Sequence, residues 1–169
     1  MKKVIVIGCP GSGKSTFSKA LHEITKIPLV HLDMLFWNED KTTAPKCVFL
    51  ERLSKVMQNE QWIIDGNYAS TMELRIKACD TVIFLDYPLD VCLNGVNQRK
   101  GKARSDLPWI EPFEDDTEFI EFIKNYNSES RPKVMDLLNK YSNKNIIIFS
   151  NRASAQEFLI KIKRDNKKD

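Results

Sequence analysis

The chain has 169 residues, 42% hydrophobic and 29% charged; this suits one domain over residues 1–169 with a core of its own and is short for two. No apolar run approaches the roughly 18–20 residues of a membrane-spanning helix, so a membrane role is excluded and a cytoplasmic protein is expected. Of the 26 basic and 23 acidic residues behind the net charge of +3, five and two lie in the tail 161–169, which leaves 21 of each before it. A neutral body argues against nucleic acid as a partner, and only the basic tail is a candidate surface for it.

In chain order, the first apolar stretch, residues 4–7, follows two lysines in the manner of a signal peptide. It runs into a glycine-rich motif after about five residues and therefore reads as a first strand. Further apolar runs lie at 29–32, 62–64, 81–85 and 145–149, continuous rather than alternating, as in parallel strands covered on both faces. Helical spacing predicts helices over 14–25, 45–59, 70–78, 89–99, 117–141 and about 153–164. Regular alternation of the two predicts an α/β fold on a parallel sheet. Residues 99–116, RKGKARSDLPWIEPFEDD, break the alternation. This loop is basic at its start and acidic at its end, and it is expected to act as a lid over a site.

Residues 8–15, Gly8-Cys9-Pro10-Gly11-Ser12-Gly13-Lys14-Ser15, satisfy G-x-x-x-x-G-K-[ST] between a predicted strand and a predicted helix, the setting a phosphate loop requires. Glycines allow successive backbone N–H groups to point at phosphate oxygens, and the helix N-terminus adds positive potential. Lys14 is expected to neutralise the β- and γ-phosphates and the Ser15 hydroxyl to ligate Mg²⁺. The dinucleotide pattern G-x-G-x-x-G fails because Thr16 stands where its last glycine belongs. A GTPase N-K-x-D element is also missing, since Asn143-Lys144-Asn145-Ile146 lacks the aspartate. ATP with Mg²⁺ is the expected cofactor. Cys9, at the approach to the helix N-terminus, is a candidate for a lowered thiol pKa. The four cysteines are widely spaced, with no C-x-x-C pair and two histidines in the chain, which argues against a zinc cluster and for reduced thiols.

Ligands of open parallel sheets lie at the carboxyl ends of the strands. Those ends carry the phosphate loop, Asp33, Asp65, Asp86, and Ser150-Asn151-Arg152, where Arg152 is a candidate for holding the nucleotide. Asp86 and Asp65 are alternative carboxylates for the metal beside Ser15. Asp33 is a candidate to accept the proton of an acceptor hydroxyl. Arg99, Lys100, Lys102 and Arg104, at the base of the lid, supply cations for a transferring phosphoryl group, with Arg99 and Arg104 foremost. Arg131, before Pro132, is a candidate to face the acceptor.

GCPGSGKST (8–16), HLD (31–33), WIIDGNY (62–68), TVIFLDYP (81–88) and the Arg131-Pro132 pair together resemble the DNA topology modulation family, adenylate-kinase-like P-loop proteins. The resemblance implies a three-layer P-loop NTPase sandwich with strand order 2-3-1-4-5, like the nucleoside-monophosphate kinases but with a short lid, and a kinase-like core that binds ATP. In adenylate kinases strand three ends in D-G-F-P-R, where the aspartate serves the metal and the arginine grips the acceptor's phosphate. Here Asp65-Gly66 is kept and Asn67-Tyr68-Ala69 replaces the rest. With Asp86-Tyr87-Pro88 as anchor, the family's R-x-x-x-R after strand four falls on Gly95 and Arg99. An acceptor other than a nucleoside monophosphate is therefore expected, in a pocket lined by Asp33, Asp65, Asn67 and Tyr68, with Arg75 and Arg131 (and Arg52) as substitute cations. The expected function is transfer of the ATP γ-phosphoryl group to an unidentified small acceptor. The alternative is a regulatory, slowly hydrolysing ATP module that affects DNA topology directly or through a partner.

Overall fold

The computed structural model describes residues 1–114 and 116–166; Asp115 of the lid and residues 167–169 of the basic tail lie outside the described residues. Five parallel strands, β1 (Lys3–Gly8), β2 (Leu29–His31), β3 (Trp62–Asp65), β4 (Thr81–Leu85) and β5 (Asn145–Phe149), form one sheet in the order β2-β3-β1-β4-β5. The central run TVIFL of β4 is buried throughout because each face meets its own core. Side chains alternate in direction along a strand. Val4 and Val6 accordingly join Ile63, Ile83 and Leu85 on one face, against Phe17, Leu21 and Leu159. Ile5 and Ile7 join Ile64, Val82 and Phe84 on the other, against Leu53, Ile76 and Leu138.

The covering helices are α1 (Lys14–Thr25), α3 (Lys46–Met57), α4 (Ala69–Ala78), α5 (Leu89–Asn97), α6 (Thr117–Lys124), α7 (Arg131–Lys140) and α8 (Arg152–Asp165), with a short α2 (Leu32–Phe36) after β2. No described helix is long and apolar enough to cross a membrane. Most predicted boundaries agree to within two residues, with two corrections. The expected single helix over 117–141 is interrupted at Tyr126–Ser130, where five residues take π-helical turns, and α7 begins with Pro132 in its first turn. Pro132 has no N–H to continue an α-helical ladder, so the turns widen before it. The second strand is shorter than expected: Leu32 starts α2, and Asp33 sits in that helix's first turn instead of ending a strand.

Register brings the expected ends together. His31 pairs beside Asp65, Val6 beside Asp65, and Gly8 beside Leu85. The phosphate loop and the carboxylates thus share one edge of the sheet.

Candidate functional site

Gly11 adopts φ +81° and Gly13, the N-cap of α1, φ +93°. At Gly11 a Cβ would lie 2.0 Å from the Cys92 carbonyl oxygen, and at Gly95 it would lie 2.0 Å from the Gly11 carbonyl oxygen. Helix α5 therefore packs backbone to backbone on the phosphate loop. This contact explains why Gly95 stands where the adenylate-kinase pattern carries an arginine: no side chain fits there. Lys14 donates to Gly8 O at 2.9 Å and Cys9 O at 3.2 Å, and burial pulls its pKa down against the opposing charge of Asp65. Cys9 departs from the expectation. Its side chain is buried in the core cluster that includes Phe17, Leu85 and Cys92. A hydrogen bond donated to Cys92, with burial, pushes its thiol up.

A cleft of about 540 Å³ runs over the loop, lined by Gly13, Lys14, Ser15, Arg99, Arg104 and Arg152 among others. Helix α8 contributes Ala155, Gln156 and Leu159, and Tyr87 closes the side beyond β4. Pro10 is half-buried beside the loop and Thr16 is exposed on α1. Ser12 Oγ is buried in the loop with no hydrogen-bond partner among the described residues. A cradle of backbone donors, a lysine, an orphaned hydroxyl and a flat apolar flank fits a nucleoside phosphate.

The segment after β3 builds the opposite wall. Asn67 donates from Nδ2 to Gly8 O at 2.8 Å and accepts from Gly8 N at 3.0 Å, so its amide clamps the start of the phosphate loop. Tyr68 has φ +38°, a conformation costly for a bulky side chain. Arg75 holds it there. This fully buried arginine donates to Gly66 O at 2.8 Å, to Asn67 O, and to Tyr68 O at 3.3 Å. Burial lowers its pKa to about 10. Arg75, expected to face an acceptor, instead lies beneath the pocket and braces its backbone.

Tyr68 Oη donates to Asp33 Oδ1 at 2.7 Å. The ring rests 4.9 Å from Phe36 and 5.3 Å from Phe49. Burial raises the Asp33 carboxyl above its ordinary range, and the Tyr68 hydrogen bond and the charge of Lys14 pull it partly back. Arg131, also expected here, lies elsewhere: Nε and Nη2 grip both oxygens of Asp86 at 2.7–3.1 Å. Arg52 donates to Leu35 O at 2.9 Å. Of the two candidate metal carboxylates, Asp86 is held through both oxygens by Arg131, whereas Asp65 keeps one buried oxygen with no hydrogen-bond partner among the described residues.

The lid pairs its own charges. Arg99 meets Glu111 at 2.8 Å, and Arg104 meets Glu111 at 2.6 Å and Asp106 at 2.7 Å. Gly101 N donates to Glu111 O at 2.9 Å. Trp109 stands edge-on to Trp37 at 4.9 Å, which joins the lid to the segment after α2. Asp106, only 3% exposed, reaches the phosphate loop: it accepts from the Ser15 hydroxyl and lies 3.9 Å from Lys19 Nζ. Sequence reasoning missed two residues, Asp106 and His31. His31 Nδ1 and Asp65 Oδ2 are 2.8 Å apart, and donor atoms of His31, Asp65 and Asp106 all lie within 4.8 Å of one another. The Arg104-Ser105-Asp106 spacing was the available signal for Asp106, and the strand register for His31.

Fold and phosphate loop together define the chain's class: it has the P-loop kinase fold, a five-stranded parallel sheet in the order of the nucleoside-monophosphate-kinase-like proteins. Among solved structures it is similar to the shikimate kinase of Acinetobacter baumannii in complex with shikimate. That match has a TM-score of 0.63 at 15% identity, over 96% of this chain and 90% of that one. It is also similar to the shikimate kinase of Bacteroides thetaiotaomicron, with a TM-score of 0.54 at 19% identity over 97% of each chain. The sequence matches no protein-family model and no curated protein. Resemblance to the DNA topology modulation family accordingly rests on the motifs alone.

Proposed function

We propose that this protein is a small-molecule kinase that transfers the γ-phosphoryl group of ATP to a hydroxyl of an unidentified acceptor. One observation carries the reading. Asp33, a carboxyl raised by burial, is hydrogen-bonded by Tyr68 on one side and feels the charge of Lys14 on the other. A base with a raised pKa next to the phosphate-loop lysine is what proton removal from an acceptor hydroxyl needs.

In this reading residues 8–16 hold the phosphates and Arg152 flanks the nucleotide. Ser15 and Asp65 hold Mg²⁺, which when bound neutralises phosphate charge; Asp86, committed to Arg131, supports the site from β4. Lys14 follows the charge on the transferring group, and Asp33 accepts the acceptor's proton. Arg99 and Arg104 exchange their lid carboxylates for phosphate oxygens as the lid closes and water is excluded. Asn67 and Tyr68 set the pocket's shape, and Phe36 and Trp37 give it an aromatic wall. The kinase neighbours support this reading through the fold, and their acceptor, shikimate, belongs in any screen. The alternative, a slow ATPase acting on DNA topology, draws no support from the described residues.

The test is ADP release with and without a panel of hydroxyl compounds that includes shikimate, sugars and nucleosides. A kinase shows turnover stimulated strongly by one compound and abolished in Lys14→Ala with an unchanged circular dichroism spectrum. Turnover that Lys14→Ala leaves intact would rule the mechanism out.

A further inference from the structure

The lid carries a carboxylate into the heart of the site. Asp106 is buried at the level of the phosphate loop, its hydrogen bond with Ser15 closing the gap between lid and α1. Beside it stand Asp65, from the end of β3, and His31, from the end of β2, with one donor atom from each of the three residues inside 4.8 Å of the others. The side chains of His31 and Asp65 are 11% and 4% exposed. One oxygen of Asp65 is sealed from solvent without a hydrogen-bond donor among the described residues. A buried, unpartnered carboxylate oxygen costs free energy unless something positive meets it. Lys14 and Arg75 both act on Asp65, but Lys14 is turned to the carbonyls of Gly8 and Cys9 and Arg75 to those of Gly66, Asn67 and Tyr68.

We propose that His31, Asp65 and Asp106 form a divalent-cation site, one ligand each from two neighbouring strands and from the lid, which takes a transition-series ion without nucleotide. The geometry supports it. Donor atoms about 2.1 Å from an ion lie at most roughly 4 to 4.5 Å apart, so three atoms within 4.8 Å close on one ion with sub-ångström movement. Arg104 takes one lone pair on each oxygen of Asp106 and the Ser15 hydroxyl takes another; the ion takes the place of the Ser15 hydrogen bond.

The donor set also sets the selectivity. All-oxygen sites suit Mg²⁺, whereas an imidazole beside two carboxylates favours Mn²⁺, Fe²⁺ or Zn²⁺. Because Asp106 belongs to the loop that covers the cleft, an ion here ties the lid to the sheet edge next to Ser15. It would thereby pre-assemble the cover before nucleotide arrives. The inference shares Asp65 with the Mg²⁺ site of the kinase reading, but it concerns binding without nucleotide and is tested without turnover.

Mn²⁺ is the probe, titrated into the whole chain without nucleotide and followed by the loss of the free-ion electron paramagnetic resonance signal. One ion per chain is expected, weakened at least ten-fold in Asp106→Asn and in His31→Gln and unchanged in Asp136→Asn, an exposed carboxylate on α7. Circular dichroism checks that each variant is folded. The wild-type chain provides a second measurement that needs no variant at the site. Pulsed resonance of bound Mn²⁺ should show coupling to an imidazole nitrogen, and that coupling should persist in His22→Gln, which leaves His31 as the only histidine. No nucleotide-free binding, binding unaltered in Asp106→Asn, or bound Mn²⁺ without nitrogen coupling would each overturn the site. An inactive chain that still binds Mn²⁺ in this way would sink the kinase reading and leave the metal site standing.

Discussion

Asn67 and Gly8 exchange two hydrogen bonds: the Asn67 amide donates to the Gly8 carbonyl at 2.8 Å and accepts from the Gly8 N–H at 3.0 Å. This amide clip joins the end of β3 to the start of the phosphate loop, and Gly8 is buried there. Removing it in Asn67→Ala strands the buried Gly8 N–H at a cost of about 1–3 kcal/mol, while the Gly8 carbonyl keeps the Lys14 ammonium. The expected outcome is a lower urea midpoint together with a raised KM for ATP. An unchanged ATP KM would show that the clip shapes only the acceptor side.

Arg75 should matter more than its distance from any ligand suggests. In Arg75→Met the carbonyls of Gly66 and Asn67 lose their donor while that of Tyr68 keeps Thr71, and Tyr68 loses what holds it at positive φ; unfolding free energy should fall by roughly 3 kcal/mol. Lysine should rescue poorly, because one ammonium cannot reproduce the planar fork that reaches Gly66, Asn67 and Tyr68. Urea denaturation of both variants checks this.

The Asp33–Tyr68 pair makes a prediction about pH. Burial raises the Asp33 carboxyl, so the folded chain binds that proton more tightly than the unfolded one. Stability from this group is present below the ordinary carboxylate range and is lost as pH rises through the raised value. The ionised form is the base, so kcat/KM should climb over the same window. Tyr68→Phe removes a hydrogen bond that favours the ionised carboxylate and should move the acid limb to higher pH. Asp33→Asn should cut turnover by roughly 10²–10⁴-fold. An acid limb that stays put in Tyr68→Phe would remove Asp33 from the role of base.

Gly95→Ala tests the contact between α5 and the phosphate loop. Its Cβ would arrive 2.0 Å from the Gly11 carbonyl oxygen, and backbone on backbone leaves no flexible side chain to give way. The helix should shift and distort the loop at a cost of about 1–3 kcal/mol. Calorimetry should show ADP affinity falling much further than the thermal midpoint. Equal and mild effects on both would mean that the helix moves away freely.

How much of this was legible without coordinates varies from residue to residue. Residues 8–15 were readable because a phosphate loop is made by neighbours in the chain, glycines for its backbone angles and a lysine at fixed spacing. The lid's mixed charge was visible in RKGKARSDLPWIEPFEDD, but not that Arg99 and Arg104 would choose Glu111 and Asp106. Arg75 and Arg131 were chosen as acceptor cations on residue type. Direction of the side chain decided otherwise: one points under the Asn67–Tyr68 turn and the other at Asp86.

The sequence by itself determined the strand runs, the phosphate loop and the three aspartates near one sheet edge, since these follow from local hydrophobic pattern and local turn chemistry. Only the tertiary structure decided which of those carboxylates is spoken for. Register puts His31 beside Asp65, the lid delivers Asp106 to both, and Arg131 claims Asp86. Such pairings join residues far apart in the chain, and their energies depend on distance and burial, which no spacing along a sequence encodes.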